Sequence, residues 1–464
     1  MTAGAVDSSG SALPGSATLP VRGPTDRGGG GLPAAPAAPA TAVSAPAPSS
    51  PPASAPAPAS PPASAAASPV APAPLVDTGL FGVYLHVPFC LTRCHYCDFV
   101  TYTGMEGLRR PYAAALLKEA ALAVAALGPE PPVVTSVFVG GGTPTLLPPG
   151  DLARVLGRLR ELLAFAPGAE VTVEANPETV DAAMAEGLAA AGTSRVSMGA
   201  QSFDDRVLAA LGRVHDADRV AAAVATLRTA GVPAVNLDLI YGGPGEDAGS
   251  WAATLERAVA LGPEHLSAYA LTIEPATKFG RLVAAGRMAE PDEDDLADRY
   301  HTACAVLTGA GYAHYEVSNW ARDDAAEGGA KPGPIPGHAS RHNLTYWRRG
   351  RYLGLGAGAH EFDGVTRRWN LAGVPQYLEA VHGGRRPTDG EEHLDAGQAR
   401  FEALALRLRT AAGLGPEEAR ALGVDPDGEE ATRLRSAGLL APGPGLALTE
   451  RGMFLHGEVV ARLG

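Results

Sequence analysis

Tyr84-Leu85-His86-Val87-Pro88-Phe89-Cys90-Leu91-Thr92-Arg93-Cys94-His95-Tyr96-Cys97-Asp98-Phe99 decides the reading of this 464-residue chain. Val83 to Val87 has the β-branched and apolar character of a strand, and Pro88, which cannot donate to a ladder, ends it. The three cysteines that follow therefore fall on a loop at the strand's C-terminal end. Three thiolates crowded into eight residues point to metal or redox chemistry and away from a disulfide framework. On a four-iron cube they would leave one iron without a protein ligand. The same spacing would serve a zinc ion if His86 or His95 supplied a fourth ligand. The remaining cysteine, Cys304, sits in the helical pattern Leu296 to Leu307 and reads as core.

Outward from this loop, short apolar runs alternate with amphipathic stretches. Strands are expected at Val133 to Val139, Val171 to Glu174, Arg195 to Met198, Val235 to Ile240 and His265 to Ala270. Helices are expected at Leu152 to Leu163, Thr179 to Ala191, Ala217 to Ala230 and Ser250 to Leu261. Strand–helix repeats with right-handed crossovers give a parallel sheet that curls into an incomplete (β/α)6 barrel, an α/β fold. Function in such barrels gathers at the C-terminal ends of the strands. The polar residues fall there: Gly140-Gly141-Gly142-Thr143 follows the second strand, Glu174 ends the third, Gln201 follows the fourth and Asp238 lies in the fifth. Glycines let backbone amides approach a ligand, although a glycine run is also an ordinary turn. Buried carboxylates and amides need a ligand or a hydrogen-bond partner, and pairing inside the barrel is the plainer account of them.

Residues 1–76 are almost wholly Ala, Pro, Ser, Gly and Thr, without one aromatic residue, and cannot bury enough apolar surface to fold. They show neither a secretory pattern nor a span of about 18 apolar residues, so a cytoplasmic protein with no integral membrane segment is expected. The net charge of −13 falls almost entirely on the rest of the chain and argues against nucleic acid as a partner. The expected organisation is a tail at 1–76, the partial barrel at 77–320, a Gly/Pro-rich flexible insertion at 321–340, and a smaller, mostly α C-terminal domain at 341–464. The last part, with Leu434 to Leu440, Leu446 to Thr449 and a final helix from Glu450, has the cast of a winged-helix-like unit.

The cysteine segment resembles the cluster-binding signature of the oxygen-independent coproporphyrinogen III oxidase family of radical S-adenosylmethionine (SAM) proteins, and the similarity extends over nearly everything after the tail. The resemblance implies a [4Fe-4S] cluster on Cys90, Cys94 and Cys97. Its open iron would bind the amino and carboxylate groups of S-adenosyl-L-methionine, which an electron from the cluster cleaves to a 5′-deoxyadenosyl radical. It implies further that Tyr84, Tyr96, Gly141, Gly142, Thr143, Glu174, Gln201, Arg213, Asp238 and Ala270 contact SAM, with Arg213 offering a fixed cation to the carboxylate. A surface salt bridge is the alternative for Arg213.

Two departures bear on function. The true oxidases of the family carry a further cysteine two residues after the third cluster ligand, where this chain has Phe99, and their N-terminal portion has no match here. His342-Asn343-Leu344-Thr345-Tyr346-Trp347, with Tyr352 to His360 after it, resembles instead a branch that binds heme and hands it to acceptor proteins; Glu361 and the 322–340 stretch depart from that branch. The resemblance implies heme as cargo, heme-acceptor proteins such as respiratory cytochromes as partners, an electron donor, and no dehydrogenase activity on coproporphyrinogen III. Conversion of coproporphyrinogen III to protoporphyrinogen IX is the alternative activity. A carrier needs an aromatic face and a ligand that can let go, which His342, Tyr346 and Trp347 could offer. The same three residues could equally pack the second domain.

Overall fold

A computed structural model of the chain describes residues 75–323 and 333–464. Most of the expected tail, and 324–332 of the expected insertion, lie outside the described residues. The insertion's two ends belong to the fold: Ala321 closes a strand and Ser340 caps a helix.

Six parallel strands form the barrel wall in sequence order: β1 (Phe81–Val87), β2 (Val134–Gly141), β3 (Phe165–Ala175), β4 (Arg195–Gln201), β5 (Ala234–Tyr241) and β6 (His265–Ala270). Each sequence-expected strand is present, and β3 begins six residues earlier than its apolar run. The strand sequences explain the curl. One set of alternate residues (Val83, Leu85, Val137, Val139, Val171, Val173, Val196, Met198, Val235, Leu237) is apolar and buried against the surrounding helices. The other set (Thr172, Glu174, Ser197, Asn236, Asp238, Ser267) lines polar space inside the wall. A period of two on a strand sends these sets to opposite faces, so the sequence builds a greasy outside and a polar inside.

The sheet does not stop at six strands. On the β6 side it adds β7 (Ala313–Glu316) and β8 (Asn319–Ala321), and on the β1 side β9 (Arg351–Leu355), β10 (His360–Phe362), β11 (Thr366–Asn370) and β12 (Thr388–His393). The order across the sheet is β12-β11-β10-β9-β1-β2-β3-β4-β5-β6-β8-β7, with β9 parallel to β1 and the other additions antiparallel. The segment His342 to Trp369, aromatic-rich in sequence, thus becomes a helix followed by three strands of the barrel's own sheet.

A buried carboxylate fastens this extension to the barrel. Glu119, on the helix Arg109–Ala126, accepts hydrogen bonds from the Tyr377 hydroxyl (2.6 Å), the Asn370 amide (2.7 Å) and the Gly356 backbone N–H (2.8 Å). Burial outweighs these donors and pushes its pKa from the ordinary 4.5 up to about 7. A carboxyl whose folded pKa is raised contributes stability that is complete below about pH 4.5 and is lost as pH climbs through about 7, on the order of 3 kcal/mol. Chemical denaturation of wild type and Glu119→Gln at pH 5 and pH 8 checks this. The wild type is expected to lose more stability between the two than the variant, and parallel losses would refute the assignment.

The C-terminal part is mostly helical. After the helix Ala396–Leu408 come Pro416–Ala421, Glu429–Ser436 and two final helices from Glu450, with antiparallel bridges Leu414 to Leu446 and Leu440 to Leu448. Helix, bridge, two helices and a bridged hairpin follow one another in winged-helix-like order. The helical region expected across Ala396 to Leu422 is broken at Gly413, whose positive φ of 55° turns the chain.

Candidate functional site at the barrel mouth

Three thiols, an amide-rich loop and a ring of polar strand ends share one cavity of about 470 Å³. Cys90, Cys94 and Cys97 are half-buried and free, and all three line it. The loop that carries them is fixed by its backbone. Cys90 N–H donates to Tyr102 O (3.0 Å), His95 N–H to Leu211 O (3.0 Å) and Thr143 N–H to Phe89 O (2.7 Å).

A run of side-chain contacts crosses the cavity from one cysteine to another. The Thr143 hydroxyl lies 3.8 Å from Cys90 Sγ and accepts from Asn176 Nδ2 at 3.0 Å. Arg213 donates through Nη2 to Asn176 Oδ1 (2.6 Å) and Gly199 O (2.9 Å), and through Nη1 to Cys94 Sγ (3.3 Å). Arg213 is therefore no surface salt bridge: it ties the cysteine loop to the ends of β3 and β4. Burial raises the Cys90 thiol to about 11, partly offset by the Thr143 contact, so a metal binding there would displace a proton.

Glu174 Oε2 accepts the Gly141 N–H at 3.0 Å. Burial first, and the Asp238 carboxylate second, raise Glu174 to about 8. Asp238 is also raised by burial, against hydrogen bonds from Ser197 (2.9 Å) and Asn236 (2.9 Å). Gly141 holds φ at 109° and its missing Cβ would sit 2.4 Å from the His86 ring, so glycine is required there. Gln201 is one of two non-glycine residues at positive φ among the described residues, at 65°. Such strain at a cavity wall is a marker of a working site.

Of the residues expected to contact SAM, Tyr96, Gly141, Gly142, Thr143, Glu174, Gln201, Arg213, Asp238 and Ala270 line this cavity. Tyr84 does not. Its buried ring packs against Phe138, and its hydroxyl meets His86 Nδ1 at 2.9 Å, which makes it a support under the site. Asn176 and Gly199 were missed, as were Tyr300 and Phe454 on the far wall. Asn176 could have been suspected from its place directly after Glu174-Ala175. The two aromatics come from helices whose docking no local pattern reveals.

The residues present suit a cluster better than a lone zinc ion. His86 is engaged at both ring nitrogens, by Tyr84 and by Val100 O (2.8 Å), and His95 by Ala210 O (2.9 Å) and Lys278 Nζ (2.8 Å). Among the described residues no three His, Cys, Asp or Glu side chains are grouped to hold a single ion.

The segment that could offer heme an aromatic face is buried in the fold, the packing alternative that the sequence left open. The helix Arg341–Trp347 packs inside the sheet against β1, β2 and β9. His342 is buried between Ser136 Oγ (2.9 Å from Nδ1) and the Tyr346 hydroxyl (2.9 Å from Nε2), stacks on Phe138, and is held neutral by burial, with a pKa of about 3. Trp347 is buried under the Arg409 guanidinium, 4.4 Å from its ring centre, and Tyr346 packs edge-on against Tyr352. The helix is drawn in because Glu170, buried on β3, accepts the backbone N–H groups of Arg341 and His342, both at 3.1 Å.

A parallel partial barrel whose strand ends surround three loop cysteines defines the radical SAM class, and residues 84–258 match the model of the Radical SAM superfamily. The chain is 44% identical over 385 residues to the heme chaperone HemW of Mycobacterium tuberculosis, covering 82% of this chain and 94% of that one. It is 38% identical over 280 residues to HemW of Escherichia coli, covering 60% and 69%. The solved structure of the Escherichia coli coproporphyrinogen III oxidase HemN, described as a radical SAM enzyme, superposes with a TM-score of 0.68 at 24% identity, over 85% of this chain and 91% of that one. The fold is shared with that oxidase, and the chain belongs to the HemW family of heme chaperones. Among the described residues no helix is long and apolar enough to cross a membrane.

Proposed function

We propose that this chain is a heme carrier built on a radical SAM site: it holds a [4Fe-4S] cluster on Cys90, Cys94 and Cys97, binds SAM in the adjoining cavity, and delivers heme to acceptor proteins such as respiratory cytochromes. The observation that carries this reading is one cavity shared by three free thiols, the Gly141 to Thr143 amides, Glu174, Arg213 and Asp238, in a chain of the HemW family. When bound, the cluster would supply an open coordination position and one electron, received from a separate donor. The protein's own groups do the rest. Thr143 and Arg213 steady the thiol loop, and Arg213 offers a cation to the carboxylate of an amino acid. Glu174, raised to about 8 by burial and Asp238, offers a carboxyl that an arriving ammonium group would favour in its ionised form, and Asp238 offers an acceptor to hydroxyl groups. Phe99 stands exposed at the mouth, where a thiol would be expected for coproporphyrinogen oxidation.

Anaerobic heme titration tests the reading. About one heme per chain is expected to survive gel filtration, with no protoporphyrinogen IX formed from coproporphyrinogen III; heme stripped by the column would end the carrier assignment. We expect His342→Ala to cost about 2 kcal/mol of stability, through unpaired Ser136 and Tyr346 hydroxyls and a cavity beside Phe138, while leaving the heme absorption spectrum unchanged. A shifted spectrum without loss of stability would make His342 a heme ligand.

A further inference from the structure

Beneath the cavity floor lies a second void of about 40 Å³. Glu174, Ser197, Asp238 and Tyr269 line both spaces, so they form the partition between them. On its other side the void reaches Ser340 and Asn343, at the start of the internal helix Arg341–Trp347. Every residue that lines it except Phe138 carries a polar side-chain group. Two of the lining residues, Thr172 and Arg195, 0% and 5% exposed, carry buried atoms without a hydrogen-bond partner among the described residues: Thr172 Oγ1, and Nε and Nη1 of Arg195. The Arg195 guanidinium is held in place, its Nη2 donating to His338 O at 2.6 Å and its Nε lying 3.4 Å from Glu170 in an ion pair, so Nη1 is not free to turn away.

A buried hydroxyl and a buried guanidinium N–H left unpaired are costly, and a polar void of sufficient size is filled by water that pairs them. One water needs on the order of 10–15 Å³ of such space and two to four polar neighbours, so the void of about 40 Å³ has room for roughly three or four. We propose that this chamber is a site for ordered water and that the water links Asn343 and Ser340 to Asp238 and Glu174, making the helix Arg341–Trp347 a positioning element for the ligand in the cavity above. The proposal rests on the reading that this cavity takes SAM. It gives the His342 to Trp347 segment a role consistent with its burial: the segment braces the SAM floor from below.

Two variants of the full chain, reconstituted anaerobically, test it by SAM affinity, cluster absorption and thermal melting. Asn343→Leu fills the chamber and removes an amide, and should weaken SAM binding about tenfold while the cluster spectrum is kept. Thr172→Val removes one orphaned hydroxyl at nearly constant volume. In a wet chamber it deletes a water contact, so Tm should stay level or fall and SAM binding weaken a few-fold. In a dry chamber it relieves an unpaired group, so Tm should rise with SAM binding unchanged, and that result overturns the proposal. Should Asn343→Leu not fold, Thr172→Val decides alone. If wild type itself binds no SAM, the reading of the cavity fails, and the sign of the Thr172→Val melting shift still reports whether the chamber is wet.

Discussion

Protein carrying alanine at Cys90, Cys94 and Cys97 together is expected to emerge colourless from anaerobic reconstitution, while wild type emerges brown with about four irons and four sulfides per chain. The loss should be essentially complete, because these are the three free thiols that line the cavity and Cys304, the fourth cysteine, is buried in the core. Stability without the cluster should change little. The three side chains sit on a loop held by backbone hydrogen bonds at Cys90, His95 and Thr143, which alanine preserves. Iron and sulfide assays together with melting curves check both halves of the expectation. A variant that still turns brown would move the ligands elsewhere, and a wild type holding one zinc would replace the cluster with a structural ion. The second outcome requires His86 or His95 to give up the partner on one ring nitrogen, a cost the hydrogen-bond pattern makes explicit.

What was legible in the sequence followed from short-range signals. Pro88 ending a strand, three cysteines in eight residues, and carboxylates at strand ends are local patterns, and the strands they mark stand where expected. The cavity then gathers residues as distant as Cys90 and Ala270 because parallel strands in sequence order bring their C-terminal ends to one rim. The element whose place the sequence left open was the helix Arg341–Trp347. Its aromatic and histidine content looks like a ligand-binding surface, yet its place inside the barrel is decided by Glu170, 171 residues earlier, capturing the N–H of Arg341. No window of sequence contains that pairing. The addition of β9 to the β1 edge is hidden for the same reason: Arg351 to Leu355 is a plain strand, and only tertiary pairing says which edge it joins. Glu119 shows the limit from the other side. It lies in an Ala/Leu-rich helix as a solitary acid, and its role appears only when Gly356, Asn370 and Tyr377 arrive from the C-terminal extension.

Replacing Arg213 should separate cluster from SAM. The guanidinium is buried, and its three neutral partners are drawn from three places: the Cys94 thiol on the loop, Asn176 beyond β3, and the Gly199 carbonyl in β4. With leucine in its place the Asn176 and Gly199 oxygens lose their donor in a site that water reaches poorly, and the cavity loses the cation nearest the cysteines. Hydrogen bonds from a charged group contribute about 1.5–3 kcal/mol each, so losing one made to the SAM carboxylate corresponds to roughly a 10- to 150-fold weaker complex. Rearrangement of Asn176 adds to this, and Arg213→Leu is expected near the upper end of that range. Lysine keeps the charge but cannot span Asn176 and Cys94 as a fork does, so Arg213→Lys should fall between leucine and wild type. Cluster content should remain near wild type in both, because the thiol ligands and the backbone of their loop are untouched. Equilibrium SAM binding on reconstituted protein, with iron content measured on the same samples, reads the two effects apart. Equal SAM affinity in all three proteins would remove Arg213 from the ligand's surroundings. Loss of the cluster along with SAM would instead show that the guanidinium acts by holding the thiol loop, through Cys94.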